Sequence, residues 1–183
     1  EKYSRPVQHF VTEADVIVVG AGGAGLTAAL NAYEGGASVI LLEKSGVIGG
    51  NHIAAQSGLN AAESSLQAGA EGTDKASFKE VQMNNDLVRE ELVDALVENS
   101  GPMADWVASK GVEFTVNERN PLNLQATAGG TTTITIVTAL KNALDQTDIK
   151  LYTDTRATEL IQDQSGRVTG VKAEARDGSE VSF

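Results

Sequence analysis

The sequence predicts an α/β fold in which a parallel sheet is joined by an antiparallel meander. Three observations carry that prediction. A run of β-branched residues, Val16-Ile17-Val18-Val19, leads into Gly20-Ala21-Gly22-Gly23-Ala24-Gly25 and then a helical stretch. A second apolar run, Ala37 to Leu42, follows that helix and finishes on Glu43. From Arg156 onward, strand-like segments are broken by Asp163-Gln164-Ser165-Gly166 and by Arg176-Asp177-Gly178-Ser179. Short, continuously apolar runs suit parallel strands buried on both faces. Turn signals between short strands suit hairpins.

The first strand, turn and helix (Leu26 to Tyr33, ended by Gly35-Gly36) contain G-x-G-x-x-G in the context a dinucleotide requires. Gly20 makes the tight turn, and Gly22 keeps the main chain open to a pyrophosphate. Gly25 lets the helix lie on the strand. The unpaired N–H groups at the helix start, with the positive end of its dipole, hold phosphate. Glu43, at the tip of the second strand, accepts hydrogen bonds from ribose hydroxyls and disfavours a 2′-phosphate. A glycine turn that serves packing alone is the competing reading.

Residues 1–12 carry no periodicity and read as a linker, with His9 solvated; residues 13–183 read as one nucleotide-binding domain. Lys44 to Gly50 is a glycine-punctuated loop, and Ala61 to Ala70 a loop with a helical turn. A helix is expected over Thr73 to Asn84, with Phe78, Val81 and Gln82 on one side. Another is expected over Asp86 to Asn99, with Leu87, Val88, Leu92, Ala95 and Leu96 on its apolar face. Gly101-Pro102 should break that helix and start a new one, Met103 to Lys110, where Trp106 plugs the core. Val112 to Val116 reads as a strand and Asn117 to Gln125 as a polar loop. Thr131 to Leu144 reads as a helix whose start, Ala128 to Thr132, is a cap or a second anion site. Ile149 to Thr153 is the third parallel strand, and the chain stops at Phe183 inside a strand.

Composition narrows the function. The chain has 183 residues, 41% hydrophobic and 21% charged, as in ordinary globular proteins. A formal charge of −11 argues against nucleic acid or an anionic membrane surface as partner. There is no cysteine, so disulfides, cysteine metal sites and flavin disulfide reductase chemistry are excluded. The run from Val16 to Leu30 is about half glycine and alanine and too short to span a bilayer. Glu13 and Asp15 stand where a signal peptide has basic residues. The first residue is Glu1 rather than Met, which leads us to expect something upstream: a tag, a targeting segment or a preceding domain.

The segment after Glu43 separates flavin from nicotinamide. Glu43-Lys44, Val47-Ile48-Gly49-Gly50-Asn51 and Ala54-Ala55-Gln56-Ser57-Gly58-Leu59-Asn60-Ala61-Ala62 resemble the flavoprotein family of fumarate reductases and succinate dehydrogenases. The likeness is greatest to soluble, single-chain members such as fumarate and urocanate reductases. It is strong over Asp15 to Ala62 and weaker over Asp86 to Phe183. It implies a Rossmann-like, glutathione-reductase-type fold with the meander inserted, and FAD as cofactor. By family pattern Gly20, Gly22, Gly23, Ala24 and Gly25 line the pyrophosphate, Glu43 holds the adenosine ribose and Lys44 flanks the adenine end. Gly49, Gly50 and Asn51 run beside the ribityl chain and pyrophosphate. Ser57 and Gly58 bring main chain close to the isoalloxazine, and the backbone of Ala157 meets adenine. The position that links FAD covalently in membrane-bound members falls on Asn51, so His52 is read as a pocket-wall residue.

The resemblance also implies a small unsaturated carboxylate as substrate, reduced by hydride from the flavin. Its arginine and histidine machinery lies in a capping domain and chain beyond Phe183, so no catalytic residue and no metal ligand is expected here. Arg5, Arg89, Arg119, Arg156, Arg167 and Arg176 match no catalytic motif. The family's closing segment A-T-G-G, and its histidine-arginine-proline near Leu122 to Thr127, are absent. We therefore expect other domains or chains to complete the fold. A non-catalytic dinucleotide-binding module is the alternative outside enzymes. The 3-ketosteroid dehydrogenases and L-aspartate oxidases share the same front end.

Overall fold

The computed structural model describes residues 9–84, 87–128 and 130–183. The chain divides into two units, residues 1–50 with 144–183, and residues 51–143.

The first unit holds the parallel sheet. β1 (Val16–Val19), β2 (Val39–Leu42) and β6 (Lys150–Tyr152) lie in the order β1-β2-β6, with Val16 opposite Val39 and Ile40 opposite Lys150. All four residues of β2 are buried, as a strand covered on both faces must be. Helix α1 (Gly23–Glu34) is the crossover between β1 and β2 and buries Leu26, Ala29 and Leu30. The meander follows as β7 (Arg156–Gln162), β8 (Val168–Glu174) and β9 (Glu180–Ser182), antiparallel throughout, with turns at both expected places. Val171, Ala173 and Phe183 from the meander pack with Ile40, Leu42 and Tyr152 in one core. Phe10 joins them, its ring 4.8 Å from Tyr152 and 5.6 Å from Phe183, both edge-on. The Val11 N–H donates to the Tyr152 hydroxyl at 2.6 Å. The described end of the expected linker is thus tied to the core, although His9 is exposed. Among the described residues β1 is an edge strand, and Val19 is 54% exposed there.

The second unit holds β3 (Leu59–Asn60), α2 (Lys75–Met83), α3 (Glu90–Ser109), β4 (Phe114–Asn117), β5 (Asn120–Ala126) and α4 (Thr132–Leu144, its last residue in the first unit). Asp74 caps α2, its carboxylate accepting from the Ser77 N–H at 2.9 Å and hydroxyl at 2.7 Å. Phe78 is buried as expected, but Val81 is exposed.

Three expectations about α3 are corrected by the structure. α3 does not break at Gly101-Pro102 but runs on through Pro102. Gly101 serves packing: a Cβ there would overlap the carbonyl oxygen of Ala62. Pro102, and Glu98, whose carbonyl loses the N–H four residues on, are both exposed, where solvent can stand in for the bond that proline removes. The buried face of α3 is also not the expected one. Val93, Val97, Ser100, Gly101, Ala104 and Val107 point inward, whereas Leu92 and Leu96 are 59% and 46% exposed and Leu87 precedes the helix. Asp86, the expected first residue, lies outside the described residues. Trp106 is half-buried beneath Lys110, whose Nζ is 4.7 Å from the ring centre, rather than a core plug.

The expected polar loop Asn117 to Gln125 is mostly strand. β5 is the centre of the sheet β3-β5-β4, antiparallel to both neighbours. Leu122 and Leu124 alternate into the core, and the buried Asn123 donates to Asn60 Oδ1 at 2.8 Å. Pro121 is tolerated because it lies where the β4–β5 register shifts. At the start of α4, Thr131 Oγ1 accepts from the Ile134 N–H at 3.4 Å, which favours the cap; Gly129 lies outside the described residues.

Candidate dinucleotide-binding site

The turn between β1 and α1 is built almost entirely from main chain. Gly20 has φ +98°, a conformation closed to most side chains, and its N–H donates to Leu42 O at 2.7 Å. A Cβ on Gly25 would overlap the Gly20 carbonyl oxygen and come within 3.5 Å of Val18 Cγ1. These two glycines are explained by the fold alone.

Gly22 is different. Its φ of −77° and ψ of −176° suit any residue, and a Cβ there would meet nothing closer than Gly49 O at 3.9 Å. Nothing in the protein's own packing demands glycine at this point. As the N-cap of α1 it offers no capping side chain, and the first turn contains no acidic residue. The first intrahelical bond is Leu26 N–H to Gly22 O at 2.9 Å. The N–H groups of the preceding residues have no partner within the helix. A bare main-chain cradle and an uncompensated helix dipole favour an anion.

The loop after β2 comes back over this turn. Gly49 pairs with Gly22 as a parallel bridge, and its N–H donates to Ala21 O at 2.7 Å. A Cβ on Gly50 would stand 3.4 Å from Gly22 Cα. Gly20, Gly22, Gly23, Ala24, Gly25, Gly49 and Gly50 are therefore gathered into one patch of main chain.

Glu43 sits beneath that patch, 6% exposed. Its Oε2 accepts from the Ala21 N–H at 2.8 Å. Its Oε1 accepts from the Ser45 N–H at 2.8 Å and the Ser45 hydroxyl at 2.6 Å. Burial pushes the Glu43 pKa upward, but the Ser45 and Ala21 hydrogen bonds and the charge on Lys44 outweigh it, and the carboxyl titrates below its ordinary 4.5. The backbone around it is lashed to the start of the meander. Glu43 N–H donates to Tyr152 O at 2.8 Å, Thr155 N–H to Glu43 O at 2.9 Å, and Asp154 N–H to Ser45 O at 3.0 Å. Ala157 lies just beyond on β7, paired with Ala173, and Lys44 is exposed beside Glu43.

Asn51, Ser57 and Gly58 belong to the second unit. Asn51 and Ser57 are exposed. Gly58 has a packing reason of its own, since a Cβ there would overlap Leu124 O. His52 Nε2 is buried with no hydrogen-bond partner among the described residues, and burial lowers its pKa from the ordinary 6.5. Sequence reasoning missed Ser45. The available signal was a serine two residues after an acid at a strand end, a spacing that favours local side-chain bonds. Among the described residues no cluster of His, Cys, Asp and Glu could hold a metal ion, and no helix is long and apolar enough to cross a membrane.

Comparisons with known proteins identify the family. A family model described as FAD binding domain matches residues 15–183. A fumarate reductase (cytochrome) from Shewanella frigidimarina is 33% identical over 169 residues, covering 86% of this chain and 29% of that protein. A urocanate reductase from Eggerthella lenta is 33% identical over 171 residues, covering 88% of this chain and 28% of that protein. The chain thus spans under a third of the length of these relatives. Among solved structures, the open conformation of a flavocytochrome c3 fumarate reductase superimposes with a TM-score of 0.79 at 26% identity, over 92% of this chain and 31% of that one. A 3-ketosteroid-delta4-(5alpha)-dehydrogenase from Rhodococcus jostii shares the fold with a TM-score of 0.81 at 22% identity, over 96% of this chain and 44% of that one. The chain belongs to the family of FAD binding domains, and its cofactor is FAD.

Proposed function

We propose that this chain is the FAD-binding portion of a flavoprotein oxidoreductase that reduces the C=C bond of an unsaturated carboxylate such as fumarate. One observation carries the cofactor half of this reading. Gly22 lacks a side chain where the protein's own packing does not require it, beside helix N–H groups that nothing in the helix satisfies. The relatives named for fumarate and urocanate reduction support the substrate half.

In this reading the main chain of Gly20, Gly22, Gly23, Ala24 and Gly25 binds the pyrophosphate. Gly49 and Gly50 close over it, and Glu43 takes the adenosine ribose. Lys44 and the Ala157 backbone stand at the adenine end. Asn51, Ser57 and Gly58 serve the ribityl and flavin end. FAD, when bound, supplies hydride transfer through its flavin ring. The residues of this chain bind and orient the cofactor, and none of them is assigned a proton-transfer role. Within this reading, further domains supply the groups that hold the carboxylate.

The test is a titration of the purified chain with FAD and with NAD, followed by flavin absorbance and fluorescence. Saturation by one equivalent of FAD and none by NAD is expected. A chain that takes up NAD and shows no flavin absorbance would refute the reading. For the substrate half, full-length protein carrying reduced flavin should be reoxidised by fumarate or a related unsaturated carboxylate. Indifference to all of them would leave only the cofactor assignment.

A further inference from the structure

We propose that Ser45 is a positioning residue for the adenosine ribose of FAD, acting through Glu43. This rests on the cofactor reading above and adds to it a residue that the glycine fingerprint does not contain.

The argument starts from what a carboxylate can accept. Two oxygens offer about four lone-pair positions. In Glu43 three are taken: two on Oε1 by the N–H and O–H of Ser45, and one on Oε2 by the Ala21 N–H. One position is left, on Oε2. The carboxylate is therefore a fixed acceptor with a single opening rather than a swinging group with several.

Ser45 is itself fixed, because its carbonyl oxygen accepts from the Asp154 N–H at 3.0 Å. Its hydroxyl has one proton and two acceptors in reach, Glu43 Oε1 at 2.6 Å and Val47 O at 3.0 Å. The shorter distance and the ionised acceptor favour Glu43. Removing the hydroxyl leaves one main-chain donor on each oxygen, Ser45 N–H on Oε1 and Ala21 N–H on Oε2, so the carboxylate is held less firmly about its terminal bond. The ribose then loses a pre-set partner, which is a cost in ordering on binding rather than a lost contact.

The experiment measures FAD affinity by fluorescence titration of the intact chain in four forms: wild type, S45A, S45T and E43Q, with the S45A/E43Q double variant closing the cycle. S45A is expected to weaken FAD by roughly 3- to 12-fold, the scale of ordering one side chain on binding. Ser45→Thr keeps the hydroxyl and should recover most of that loss. In the E43Q background, Ser45→Ala should change the affinity less than about twofold, because Ser45 acts only through the carboxylate. Carboxyl-carbon NMR of Glu43 gives a second readout: its titration midpoint should rise in S45A.

The proposal is overturned if S45A binds FAD as wild type does, or if it costs the same with Glu43 already changed. It is equally overturned if the Glu43 midpoint is unmoved. Failure of the wild type to bind FAD would instead overturn the cofactor reading, so the two failures are distinct.

Discussion

Replacing Gly22 by alanine separates the fold from the function of this turn. Its backbone angles suit alanine, and the new methyl carbon would meet only Gly49 O at 3.9 Å, an ordinary contact. Stability should therefore hold or rise by about 0.4–1 kcal/mol, because alanine restricts the unfolded chain more than glycine does. FAD binding should respond the other way. A methyl group at the mouth of the helix keeps phosphate oxygens off the main-chain N–H groups. Losing one or two charge-assisted hydrogen bonds, each worth about 1.5–3 kcal/mol, weakens FAD by roughly 10-fold at least, and by more than about 100-fold where two are lost. Urea unfolding gives the first quantity and flavin fluorescence titration the second. A G22A protein that unfolds early, or that binds FAD as tightly as wild type, would refute the reasoning.

Further outcomes follow from other parts of the structure. G25A should lose more than about 3 kcal/mol or fail to fold, because its Cβ has no room beside the Gly20 carbonyl; urea melts decide it. On α3, V97A should cost about 2 kcal/mol, whereas L92Q and L96Q should stay within about 0.5 kcal/mol, the reverse of what the sequence pattern suggests. Acid should destabilise the chain in two stages. His52 is held neutral, with its folded pKa below the ordinary 6.5, so stability complete above pH 6.5 is lost as pH falls through the folded value. Glu43 is depressed below 4.5, so its contribution is complete above pH 4.5 and lost below that, through its own folded value. Melting curves across pH should show the upper stage flattened in H52Q and the lower in E43Q. The edge of β1, with Val19 exposed, should promote self-association, and sedimentation should show less of it once V19K places a charge there.

The glycine turn and the first two parallel strands were legible in the sequence because they are local. Strand, turn, helix and strand follow one another within residues 16–42, and Gly25 is small because Gly20, five positions back, lies against it. Gly101-Pro102 misled for the opposite reason. The pair reads as a helix break, yet Gly101 is small because Ala62, remote in sequence, lies against it. The apolar face of α3 was misjudged because the reading followed the stripe through Leu92 and Leu96, while the packed surface selects the smaller Val93, Val97, Gly101 and Ala104. β5 was hidden by its asparagines and proline. Its signal was the alternation of Leu122 and Leu124, and Asn123 is satisfied by Asn60 in another strand. The fastening of Glu43 by Ser45 was passed over because its only signal, an acid two residues before a serine, is weak when a loop serine ordinarily faces water.

The most direct test is a crystal structure of the chain grown with FAD. The account predicts pyrophosphate oxygens within about 3 Å of the main-chain nitrogens at the start of α1, and an adenosine ribose hydroxyl on Glu43 Oε2 with Ser45 still bound to Oε1. Phosphates seated elsewhere, with the Gly22 turn facing only solvent, would contradict it.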